Sequence, residues 1–161
     1  CLKPREGYQS IEWNLLFLIY GMLAVSVAME ETGTSLFIVD RLLAAVHLVV
    51  SPEHQTLVML GVFYLTASIL TEVLSNNAVA ALMTPLALGL AHQLGVDARP
   101  FVVAVCIAAS CSFSTPIGYQ TNTYVYGVGG YRFADFLKLG LPLNALCFAV
   151  AMYVIPAVWP F

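Results

Sequence analysis

The sequence predicts an all-α membrane protein, and three observations carry that prediction. Only 9% of the 161 residues are charged and 60% are hydrophobic, against roughly 25% charged in soluble domains, too few to cover a surface that faces water. The charges bracket five charge-free runs: Trp13 to Met29, His54 to Thr71, Val73 to Val96, Pro100 to Tyr131 and Leu139 to Phe161, of 17, 18, 24, 32 and 23 residues. At 1.5 Å per helical residue each can cross, or nearly cross, a hydrocarbon core about 30 Å thick. Finally, polar turn-forming residues cluster at two places inside this apolar sequence.

The elements follow in order. The first run is a membrane span. Ser35 to Ser51 is amphipathic, with Asp40, Ala44, His47 and Ser51 within about 60° on a helical wheel. It reads as a helix lying in the interface, bounded by Gly33 and Pro52. The second and third runs form two apolar arms joined at a tight polar turn. Gly95 and Pro100 separate the third run from the fourth. The fourth run would measure about 48 Å as one helix, so it must break. Arg132 to Lys138 is a shorter amphipathic piece that leads into the last span.

Parity puts Lys3, Arg5, Arg132 and Lys138 on one side of the bilayer and Arg41 and Arg99 on the other. Four against two makes the first side cytoplasmic, with the hairpin entering from outside and the C-terminus outside. A net charge of -3 without a Lys/Arg cluster excludes nucleic-acid binding. Cys1, Cys106, Cys111 and Cys147 form no C-x-x-C pair, and three of them stand in apolar runs as small hydrophobes. His47, His54 and His92 have no metal-ligand spacing. A polar start at Cys1 rather than Met, without an apolar h-region, reads as a piece of a longer protein and not as a signal peptide.

Irregular backbone survives at membrane depth only where protein buries it or a cavity receives it, so the two polar clusters are the informative positions. The first is Thr71-Glu72-Val73-Leu74-Ser75-Asn76-Asn77. Such a tip presents carbonyls from the arriving helix, which suit a hard cation, and N–H groups from the departing one, which favour an anion. On length alone the hairpin could cross fully or be re-entrant. The second cluster, Ser110 to Thr123, starts about eleven residues past Pro100, about 16 Å deep and near the midplane. Pro116 and Gly118 should stop and restart the helix there, and opposed half-helix ends at midplane are how transporters hold substrates and ions. Glu72 is an intramembrane carboxylate with three open roles: proton carrier, ion ligand through the tip, or brace for the hairpin. Tyr124, Tyr126, Tyr131, Trp13 and Trp159 read as interfacial or packing aromatics.

At these clusters the sequence resembles the second structural repeat of the divalent anion:sodium symporter family, which carries sulfate and di- or tricarboxylates. The resemblance runs from the Tyr20 region through Glu30 to Gly33, Thr71 to Asn77 and Thr115 to Asn122, and on from Tyr126 to Pro142. It implies one of two inverted repeats, residues 1–161 being the C-terminal half of the membrane domain, with a re-entrant hairpin, a helix unwound at midplane and an elevator-like motion within a homodimer. It implies sodium on Thr71, the Leu74 carbonyl, Asn76 and the Gly118 carbonyl. The anion would meet Asn76, Asn77, Tyr119 and Gln120, with Thr121 and Asn122 beside them and Ser75 shaping the tip. Asn77 stands where the family usually has Thr, and Tyr119-Gln120-Thr121-Asn122 replaces a Thr-Pro-Pro-Asn run, which makes a compact anion such as sulfate as plausible as a dicarboxylate.

The expected function is sodium-coupled symport of a divalent anion in the plasma or inner membrane. Its partners would be the anion, sodium as coupling ion, the bilayer and the first repeat of the same transporter, with no other cofactor. Proton-coupled transport through Glu72, as in arsenite-permease-like relatives, and a non-transporting membrane subunit are the competing readings. An intramembrane enzyme is not expected, since neither H-E-x-x-H nor G-x-S-x-G occurs.

Overall fold

The computed structural model describes residues 11, 13–47, 51 and 54–161. Expectations that rest on Cys1, Lys3, Arg5 and Pro52 lie outside them. The described residues form seven helices and no strand: α1 (Trp13–Glu31), α2 (Thr34–His47), α3 (Gln55–Thr71), α4 (Asn76–Leu94), α5 (Arg99–Ser110), α6 (Gln120–Gly129) and α7 (Phe133–Val158). The all-α reading holds, and each charge-free run maps onto one helix except the over-long fourth, which divides into α5 and α6.

Local chemistry explains the boundaries. Gly33, Gly95 and Gly130 turn the chain at φ of 66°, 67° and 65°, a conformation that costs other residues a Cβ clash. Arg132 to Lys138 is not separate from the last span. α7 runs unbroken for 26 residues, about 39 Å, and its start is fixed by the Asp135 carboxylate accepting from Arg132 N–H at 2.9 Å. It is the one described helix long and apolar enough to cross a membrane.

The core lies where α3, α4 and α5 pack together. Met59, Leu60, Phe63 and Ala67 of α3 meet Val79, Met83, Ala87 and Leu90 of α4 and Phe101, Ala104, Val105 and Ala108 of α5, all buried. The alanines of α5 let its backbone approach α3 closely. Edge-on rings fasten the layers: Phe63 to Phe101 at 6.2 Å, and Tyr64 to Phe148 of α7 at 5.5 Å. Fully burying one such aromatic is worth about 1.5–3 kcal/mol. The outside is apolar too, with Phe17, Tyr20, Leu139 and Tyr153 at least two-thirds exposed. In water that would be a liability; against lipid or further helices it is an ordinary surface. This packing carries α3, α4 and α5 to a common level, so that the tip between α3 and α4 meets the loop that follows α5.

Candidate functional site

The turn at the tip lies earlier in the chain than the Ser-Asn-Asn turn read from the sequence, over residues 72–75. α3 ends at Thr71, and Asn76 and Asn77 already lie in the first turn of α4. Ser75 is the N-cap, with extended backbone (φ -66°, ψ 147°), and its hydroxyl accepts from Ala78 N–H at 3.3 Å. Capping needs a residue outside the helix, so the two asparagines are pushed inward. The chain tightens as it leaves α3, with Glu72 N–H bonding Ile69 O at 3.3 Å and Val73 N–H bonding Leu70 O at 3.1 Å.

The break also begins earlier than Pro116 and Gly118 alone predict. α5 stops at Ser110, and residues 111–119 are non-helical. Side chains satisfy the freed backbone. Asn122 Nδ2 donates to Ser112 O at 2.9 Å and to Thr115 O at 3.2 Å. Thr123 Oγ1 donates to Pro116 O at 2.7 Å, and Gly118 N–H donates to Thr115 Oγ1 at 3.1 Å. Since side chains take these carbonyls, the helix need not continue to the proline.

Loop and tip are bound to each other. Ser112 Oγ donates to Thr71 O at 3.1 Å, Thr115 Oγ1 to Glu72 O at 2.8 Å, and Ser114 N–H to Glu72 Oε1 at 3.0 Å. Gly118 makes the approach possible: a Cβ there would overlap Ser112 Oγ and stand 2.9 Å from Thr71 O. Glu72 thus holds the tip against the loop, which is the bracing role among the three left open.

The result is a cleft of about 620 Å³ lined by Val73, Leu74, Ser75, Asn76, Asn77, Ser110, Ile117, Gly118, Tyr119, Gln120 and Thr123. It gathers seven of the residues singled out in the sequence: Leu74, Ser75, Asn76, Asn77, Gly118, Tyr119 and Gln120. Thr71 lies beneath it, fully buried, with its hydroxyl 2.6 Å from Ala109 O and 2.9 Å from Asn76 Oδ1. One hydrogen serves two carbonyl-type acceptors there, an excess of oxygen that an added cation would relieve. Thr121 and Asn122 do not line the cleft, and Asn122 is taken up by the loop carbonyls. No Lys or Arg lines it, but α4 and α6 both start at its wall with N–H groups that have no acceptor inside their own helix.

Asn144 was missed in the sequence. Its Nδ2 donates to Glu72 Oε1 and to Ser114 Oγ, each at 2.9 Å. The signal was available, because Asn144 is the one Asn or Gln in the charge-free run Leu139 to Phe161, and an amide in such a run needs a partner.

Apolar helices around a polar cleft, walled by two interrupted elements, are an arrangement that membrane transporters use for substrates and ions. The citrate transporter family model matches residues 1–108, and the chain belongs to that family. The divalent anion:sodium symporter resemblance read from the two clusters agrees with it. An uncharacterised transporter of Synechocystis sp. is 46% identical over 146 residues, 91% of this chain and 23% of that protein. An uncharacterised transporter of Escherichia coli is 36% identical over all 161 residues, covering 26% of its own length. Sodium/sulfate cotransporter 1 of Chlamydomonas reinhardtii is 28% identical over 155 residues, 96% of this chain and 17% of the cotransporter. The chain therefore spans about a quarter or less of the length of these relatives.

Proposed function

We propose that the chain supplies half of the transport site of a sodium-coupled symporter for a divalent anion. The observation that carries this reading is the cleft, where a cation-seeking and an anion-seeking surface stand side by side. Thr71 Oγ1 and Asn76 Oδ1, with the Leu74 and Gly118 carbonyls, are the oxygen donors for sodium. The starts of α4 and α6, with Asn77, Tyr119 and Gln120, receive the anion, and Ser75 holds the first of those starts in shape. With no Lys or Arg at the wall, bound sodium supplies much of the positive potential, and that makes anion binding depend on sodium.

The hairpin α3–α4 is re-entrant in this reading, because its tip is bonded to a loop that lies near the midplane. The other half of the site comes from an inverted first repeat, and the transporter works as an elevator within a homodimer in the plasma or inner membrane. Tyr119 and Gln120 narrow the cleft and favour a compact anion. The sulfate named for the algal relatives fits that shape, and a small dicarboxylate is the second candidate.

The test is uptake of radiolabelled sulfate and succinate by the full-length protein in proteoliposomes with sodium or potassium outside. The reading expects sodium-dependent uptake of one label, lost in Asn76→Ala. Uptake indifferent to sodium, or driven by pH and abolished by Glu72→Gln, would replace it with proton coupling.

A further inference from the structure

Beneath the cleft, three separate elements meet at one side chain. Asn144 of α7 donates from Nδ2 both to Glu72 Oε1, at the base of the hairpin tip, and to Ser114 Oγ, in the loop between α5 and α6. Glu72 Oε1 also accepts from Ser114 N–H, which closes the three residues into one network. One turn earlier on α7, Gly140 is buried, and a Cβ there would overlap the Phe113 carbonyl and Ser114 Cα. Gly140 and Asn144 are four residues apart and share a helix face. α7 thus presents one seat to the loop's backbone and one clamp to the loop and tip together.

The clamp is not explained by stability alone. Glu72 Oε2 and Asn144 Oδ1 are both buried without a hydrogen-bond partner. A carboxylate and an amide left partly unsatisfied cost more than an apolar pair of similar shape, so a helix selected only to pack would not keep them. What they provide is a fixed separation between two walls that are otherwise joined by turns and loops. The tip carries Thr71, one residue from Glu72, and the loop carries Gly118, four residues from Ser114. These are the two sides of the oxygen set assigned to sodium.

We propose that Asn144 is a positioning residue: by clamping Glu72 to Ser114 it sets the spacing of the oxygens contributed by tip and loop, and so the affinity for sodium. The inference rests on the symporter reading above. α7 then takes part in ion binding without touching the ion, and any movement of α7 relative to the hairpin loosens the sodium site.

The experiment measures sodium dependence of uptake in full-length protein in proteoliposomes, with Asn144→Ala, the exchanged pair Glu72→Gln with Asn144→Asp, and Asn76→Ala in parallel. Asn144→Ala is expected to raise the half-saturating sodium concentration roughly tenfold, the change produced by losing one charged hydrogen bond, while the maximal rate stays close to wild type. The exchanged pair restores one carboxylate and one amide in reversed order and is expected to return half-saturation to within about threefold of wild type. A purely structural Asn144 would lower the melting temperature and the maximal rate and leave half-saturation unmoved, and that result overturns the proposal. Should Asn144→Ala fail to accumulate, Asn144→Asp alone takes its place: half-saturation raised in that single variant and returned by the exchanged pair supports the clamp, and half-saturation unmoved in it overturns the clamp. If Asn76→Ala keeps its sodium dependence, the symporter reading itself falls. If Asn76→Ala loses it while Asn144→Ala matches wild type, only the clamp falls.

Discussion

The hairpin tip and the broken helix are equally rich in Ser, Thr and Asn, yet they spend those side chains differently. At the tip, Ser75, Asn76 and Asn77 line the cleft, and only the Ser75 hydroxyl is given to local backbone. In the broken helix, Ser112, Thr115, Asn122 and Thr123 all bond to carbonyls of the loop or of the tip's base. Its contribution to the cleft comes mainly from Ile117, Gly118, Tyr119 and Gln120, with Ser110 and Thr123 also on the wall. The difference follows from how each element interrupts its helix. A four-residue turn between two helices frees few backbone groups, whereas nine non-helical residues packed among apolar helices free many, and each buried and unmet one costs several kcal/mol. Polar residues at a long break are therefore scaffold first, and those at a short turn are free to meet ligands.

That contrast sets the order of expected effects. The largest is at the tip. Asn76→Ala should abolish sodium-dependent uptake while shifting the melting temperature little, and paired uptake and thermal-melt measurements check both halves of that statement. A large loss of stability instead would make Asn76 scaffold and erase the distinction. Next is Gly118→Ala, which forces a Cβ against Ser112 Oγ and Thr71 O. Overpacking of this kind costs about 1–3 kcal/mol, and it should also impair uptake by pushing the loop away from the tip.

In the loop, Asn122→Ala strips the donors from Ser112 O and Thr115 O. It should lower stability by about 1–3 kcal/mol in a thermal melt, with the surviving protein keeping its ion and anion selectivity. A changed preference between sulfate and succinate at normal stability would make Asn122 a ligand after all. Smallest is Ser75→Ala, where loss of the cap costs about 1 kcal/mol; Ser75→Gly should cost only a few tenths, a ranking that chemical denaturation in detergent can read.

Much of the fold was legible because membrane helices are written in charge spacing. The boundaries of α3 and α4 and the start of α7 fall within a few residues of charges or of Gly95. The break in the fourth run was legible as a matter of length, but its start at Ser110 was not. Where a helix ends here depends on Asn122, a dozen residues later, turning back to take two carbonyls, and one-dimensional spacing does not report that contact. Of the site, Leu74 to Asn77 and Gly118 to Gln120 could be chosen as two clusters from polar residues in apolar context. Their meeting across one cleft could not, since it depends on how α5 packs against α3 and α4. Asn144 was visible as a lone amide, but its value lies in Glu72 and Ser114, 72 and 30 residues away along the chain.

Tip and broken helix together wall one cleft, and the proposed symport has that cleft close on sodium and anion. Ile117 tests it most directly, since it lines the cleft, is 63% exposed and is assigned no ligand role. In a full-length background without other reactive thiols, Ile117→Cys should react readily with a small water-soluble maleimide in potassium chloride. Sodium together with the transported anion should slow that reaction at least several-fold, and either one alone should slow it less. A labelling rate that is the same in all four conditions would mean that the cleft binds neither sodium nor the anion.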